Sequence, residues 1–148
     1  MADILLKKIN GYWDIDFTNG DLTMTRGLET AILMSLFVDA RASSSEMPDA
    51  MRRRGWFGNK LNGYDNDEMG SKLWLLSQSR RTQNTLNLAK TYCVNCLAWL
   101  LTDKIADKID VDVSFIPDGV EVDITVYRSQ NKIFNASYNL WENTNLVV

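Results

Sequence analysis

Hydrophobic and polar residues alternate along the last third of the chain with the period of a strand. Ile109, Val111, Val113 and Phe115 interleave with Asp110, Asp112 and Ser114, and Val120, Val122, Ile124 and Val126 interleave with Glu121, Asp123 and Thr125. A period of two sends successive side chains to opposite faces, so both runs predict antiparallel strands with one apolar and one solvated face. Pro117-Asp118-Gly119 supplies the turn between them, and Phe134, Ala136, Tyr138 and Leu140 extend the alternation after Ser129-Gln130-Asn131. The result is a three-stranded meander over 109–140. At the other end, Tyr12-Trp13-Asp14-Ile15-Asp16-Phe17 and Leu22-Thr23-Met24-Thr25 alternate on either side of Asn19-Gly20, the dipeptide that accommodates the positive φ angles of a tight primed turn. Residues 1–27 therefore predict a hairpin.

Between these regions the period becomes helical. Leu28, Ala31, Ile32 and Leu36 predict a helix over 28–42, ended by Ser43-Ser44-Ser45 and Pro48. The strongest helix signal covers 82–106, where Leu86, Ala89, Cys93, Cys96, Leu97 and Leu100 form one apolar stripe that Tyr92 and Trp99 widen. A short helix is expected around 71–77. Residues 43–69 are rich in turn formers and read as a long irregular connection inside the helical region 28–106. The expected fold class is α+β: an antiparallel three-stranded meander packed on a long helix, with an N-terminal β-hairpin and helix, all in one domain spanning 1–148. A chain of 148 residues is long enough to bury a sizeable core.

Two glycine-flanked motifs stand apart from this pattern. Arg53-Arg54-Gly55-Trp56-Phe57-Gly58-Asn59 places two large rings where a chain turns, and Gly70-Ser71-Lys72-Leu73-Trp74-Leu75-Leu76 follows after a polar spacer containing Tyr64. Glycine serves where backbone must adopt positive φ or approach another group closely. Trp56 and Phe57 then either plug one end of the core or form a docking knuckle for another protein.

This motif pair resembles that of the Mu-type baseplate proteins of contractile-tailed phages and prophages, relatives of the wedge proteins often labelled lysozyme-like. Gly55, Trp56, Phe57, Gly58, Asn59, Gly70, Ser71, Leu73 and Trp74 match the family pattern, Lys72 holds its cationic position, and Asn59 stands where aspartate is common. The more distant wedge relatives carry a Glu-Pro-Arg signature where this chain has Leu100-Leu101-Thr102. The resemblance implies a wedge component repeated sixfold around the tail tube, its sheet pairing strands with sheath subunits and its helices bundling with a larger wedge protein. Hub, larger wedge protein and tail sheath are the implied partners. The virion tail baseplate is the implied location, with assembly in the host cytoplasm. Candidate partner contacts are Trp56, Phe57, Asn59, Tyr64, Trp74, Tyr138 and Trp141; the last could instead fold back onto the sheet.

Composition narrows the chemistry. Hydrophobic residues make up 45% of the chain and charged residues 24%, an ordinary globular balance. The net charge of −3 and basic clusters without interleaved aromatics give no nucleic-acid signature. Met1-Ala2-Asp3-Ile4 lacks a charged-then-apolar leader, and no apolar run approaches a membrane span. Histidine is absent, which removes Ser-His and Cys-His nucleophile pairs. Cys93 and Cys96 have Cys-x-x-Cys spacing but lie in a helical stripe without two further ligands, so they read as core and neither metal nor cofactor is expected. Only carboxylate chemistry remains. A muramidase would draw a pair from Glu29, Asp39, Glu46, Asp65, Asp67 and Glu68, whereas Asp110, Asp112, Glu121 and Asp123 read as a solvated sheet face.

Overall fold

The computed structural model describes residues 3–25, 27–64 and 67–140. It begins with an arm of six short strands in three antiparallel pairs. β1 (Asp3–Ile4) pairs with β6 (Met24–Thr25), β2 (Leu6–Ile9) with β3 (Tyr12–Ile15), and β4 (Phe17–Thr18) with β5 (Asp21–Leu22). The Asn19-Gly20 turn forms as expected, with φ of 54° and 83°. The strand before it differs. Tyr12–Ile15 pairs backward onto Leu6–Ile9 through a second Asn-Gly dipeptide, Asn10-Gly11, with φ of 52° and 86°. Two primed turns so close together divide the expected hairpin into two.

α1 (Glu29–Phe37) follows. It joins the arm to the body, because Thr30 Oγ1 donates to the Ile4 carbonyl at 2.6 Å and Thr25 Oγ1 donates to Glu29 at 2.8 Å. The helix expected to reach residue 42 stops at Phe37, where Val38 turns extended. Tertiary hydrogen bonds replace the helical ones. Ser71 N donates to Val38 O and Ala40 N to Ser71 O, both at 2.9 Å, and Ala42 N donates to Arg53 O at 2.9 Å.

The long helix is also divided, into α2 (Gln83–Cys96) and α3 (Trp99–Thr102). Thr82 caps the first by accepting from Thr85 N. Leu97 and Ala98 carry no helix-breaking side chain, and the bend packs inward: Leu97 within it and Leu100 just after it are both fully buried. The second piece ends in a Schellman turn. Lys104 takes φ of 56°, with Ile105 N donating to Leu100 O and Lys104 N to Leu101 O.

β7 (Lys108–Ile116), β8 (Gly119–Arg128) and β9 (Asn131–Leu140) form the antiparallel meander in the order β7-β8-β9. Val120, Val122, Ile124 and Val126 of the central strand are buried, and their face joins Ala89, Cys93, Leu97 and Leu100 of the helices and Ile32, Leu36, Leu73 and Leu76 in one core. The fold is therefore α+β, with the meander backed by a bent helix. Both cysteines are free. Burial pushes the Cys93 thiol up to about 12 and raises that of Cys96 as well, so neither forms thiolate readily near neutrality.

Candidate functional site

The two glycine motifs meet on the extended segment that follows α1. Gly70 has φ of 118°, and a Cβ there would stand 2.6 Å from Val38 O, so only glycine lets the chains pass this closely. On the other side Gly55, with φ of 105°, packs against Arg41, where a Cβ would come within 2.8 Å of the arginine Cβ. Residues 38–42 are thus held between the motifs. Trp74 Nε1 donates to Ala40 O at 2.8 Å, and Ser71 Oγ donates to Leu36 O at 2.5 Å.

Asn59 closes the cradle. Its side chain donates to Met69 O and accepts from Met69 N, both at 2.9 Å, and so ties the end of the first motif to the start of the second. An aspartate could accept from Met69 N in the same way, though as a carboxylate it could not donate to Met69 O. The stretch leading into the first motif is anchored as well. Arg53 donates to the carbonyls of Met47 and Pro48, while Lys72 pairs with Glu46 at 2.9 Å. Donation from Ser43 N and from Lys72 holds the Glu46 carboxyl below its ordinary range.

Trp56 and Phe57 lie outside the core, 41% and 71% exposed, with ring centroids 5.8 Å apart. The indole folds over Gly58, where a Cβ would come within 2.5 Å of three ring carbons. The core-plug reading therefore does not describe these rings. Tyr64, at 74%, is exposed on the same connection. Other candidate contacts point elsewhere. Asn59 spends its amide on Met69, and Trp74 is half-buried with its N–H committed to Ala40. Tyr138 occupies the core face of β9 opposite Val122, against Trp13 and Phe37 at centroid distances of 6.4 and 5.8 Å. Period-two spacing places Tyr138 on the apolar face with Leu140. Burial and the Glu29 charge push its phenol up to about 12. Trp141 falls outside the described residues.

A cleft of about 730 Å³ opens between the arm, the second motif and the end of β9. Trp13, Phe37, Trp74 and Tyr138 contribute rings to its lining, and Lys8, Asp39, Arg54, Glu121 and Asn139 contribute polar groups. The arm's share depends on the Asn10-Gly11 turn, a signal that lies outside the hairpin expected around Asn19-Gly20. Of the carboxylates proposed for catalysis, Asp39 lines this cleft, beside Glu121 of the expected solvated sheet face. Asp39 pairs with Arg54 at 2.9 Å, Glu46 is engaged by Lys72, and Glu29 accepts from Thr25. Asp67 and Glu68 are exposed, and Asp65 lies outside the described residues. On the solvated sheet face Asp112 stands opposite Asp123, which accepts a hydrogen bond from Ser137, while Lys108 pairs with Asp110 at 3.0 Å. Among the described residues no group of three or more His, Cys, Asp or Glu could hold a metal, and no helix is long and apolar enough to cross a membrane.

Comparison with known proteins matches both motifs at once. The family model described as Phage protein GP46 matches residues 28–133, a span that contains the whole cradle and leaves the arm outside it. The baseplate protein gp46 of Escherichia phage Mu is 36% identical over 121 residues, covering 80% of this chain and 81% of the Mu protein. The Mu-like prophage FluMu protein gp46 of Haemophilus influenzae is 33% identical over 114 residues, 77% of each chain. A match that spans most of the sequence and takes in both motifs means that the chain belongs to the Phage protein GP46 family.

Proposed function

We propose that this protein is a structural, non-enzymatic component of a contractile-tail baseplate. In this reading it is a wedge-type piece that joins hub, larger wedge protein and first sheath ring, in six copies or a multiple of six. Its place is the virion tail, reached by assembly in the host cytoplasm without membrane or nucleic-acid contact. Similarity to the Mu baseplate protein supports the baseplate role. The observation that carries the finer reading is the Trp56–Phe57 pair, held on the surface by a cradle whose own polar groups are used internally. Exposed, well-anchored aromatic rings are the residues that dominate protein interfaces. Strand β9 lies at one edge of the sheet, which suits it to pair with a sheath strand.

The test is a Trp56→Ala, Phe57→Ala double variant. We expect its stability to fall by no more than roughly 1–2 kcal/mol, since Trp56 packs only locally, on Gly58 and Phe57, while sheathed tails, counted by electron microscopy, are lost. Normal tails would overturn the docking role. A carboxylate muramidase is the second reading, favoured by Asp39 and Glu121 lining one cleft. Peptidoglycan turnover by purified protein that disappears in Glu121→Gln would establish that reading and end the structural one.

A further inference from the structure

We propose that Arg54 is the positioning residue of the knuckle, presetting Trp56 and Phe57 in their docking pose before a partner arrives. This inference rests on the docking role of the ring pair proposed above. Arg54 takes φ of 53°, left-handed backbone that a side-chain-bearing residue adopts only when its surroundings hold it there. Three contacts do so. Its guanidinium pairs with Asp39 at 2.9 Å and lies 4.7 Å from the centroid of the Trp74 ring, and its carbonyl accepts from Arg41 Nη1 at 3.1 Å. These partners are themselves fixed. Asp39 and Arg41 belong to the extended segment that Ser71 pairs with, and Trp74 is tethered to Ala40.

Gly55 is also left-handed, so two consecutive residues reverse the chain and deliver Trp56 onto Gly58. The rings then sit between two anchors. Asn59 grips the downstream side through the Met69 backbone, and Arg54 grips the upstream side through side chains that also line the cleft. Lysine could keep the charge but has no planar fork to lie on Trp74 while pairing with Asp39. A surface preset in this way suits a partner with a formed pocket for two tilted aromatic rings, because little ordering remains to be done on binding.

The experiment compares full-length Arg54→Gly, Arg54→Lys and Asp39→Asn with the parent and with the Trp56→Ala, Phe57→Ala variant. Amide hydrogen exchange over 55–60 and the yield of sheathed tails at limiting protein are read together. We expect Arg54→Gly and Arg54→Lys to speed exchange there about tenfold and to lower tail yield about tenfold, with exchange in β8 unchanged. Asp39→Asn, which leaves the arginine on Trp74, should shift both in the same direction by less, and it carries the test if Arg54→Gly fails to fold. Unchanged exchange and yield in all three, with tails still lost in the double aromatic variant, would overturn the positioning role and leave docking intact. Normal tails in the double aromatic variant would remove docking and this inference with it.

Discussion

The N-terminal arm and the C-terminal meander are built from the same grammar, alternating residues in antiparallel strands joined by tight turns, yet their burial is opposite. In β8 every second residue from Val120 to Val126 is fully buried. In the arm, Tyr12 is 67% and Phe17 61% exposed, and none of its described strand residues is buried. The difference lies outside the strands. α2 packs against β7 and covers the apolar face of the meander, whereas each arm pair is only two strands wide, with Leu6 and Trp13 of the β2–β3 pair packing on the body and Ile4 and Thr25 of the β1–β6 pair hydrogen-bonded to α1. Two-stranded ribbons are marginal by themselves. Alternation therefore specifies a strand but not what covers it.

Substitutions in matched positions should expose that contrast. Ile124→Ala removes a fully buried side chain at the centre of the meander and should cost about 3 kcal/mol in urea unfolding, in line with large-to-small core changes. Phe17→Ala in the arm should cost under about 0.5 kcal/mol. Equal losses would mean that the arm is covered as thoroughly as the meander. Trp13→Ala should fall between them, at roughly 1–2 kcal/mol, because this ring packs on both Phe37 and Tyr138. Its loss should also loosen the arm, seen as faster amide exchange in β2 and β3 with β8 unchanged.

The smallest effect concerns the connection between the two regions. Glu46 has a lowered pKa in the folded state, so its contribution is fully present above the ordinary value of 4.5 and is lost as pH falls through the folded value. Amide exchange over 43–49, corrected for the intrinsic pH dependence of exchange, should rise as the solution is acidified below pH 4.5. In Glu46→Gln that rise should be absent while the arm and meander behave as in the parent. A pH response centred on the meander instead would assign the titration to its own acidic face.

Particular residues show how much could be read in advance. Val120, Val122, Ile124 and Val126 could be assigned to one buried face because strand periodicity is local and a helix was expected beside them. Gly55 and Gly70 could be flagged as close-approach positions, but their neighbours, Arg41 and Val38, sit where a helix was expected. The cradle was illegible for that reason. Its hydrogen bonds replace helical ones of nearly equal value, and local propensity cannot rank the two. A polar residue in a motif invites a partner reading for Asn59, and only the fold brings Met69 within its reach.

The amino acids alone determined the strand and helix periods, the Asn-Gly turns, the two glycine motifs and the lack of histidine chemistry. Each follows from backbone sterics or residue inventory, which act within a few positions or on the chain as a whole. Tertiary structure alone decided that α1 yields to the cradle, that the long helix bends and that Trp56 and Phe57 face outward. Those outcomes depend on which distant groups arrive to cover a side chain or accept its hydrogen bond, and no local pattern records that.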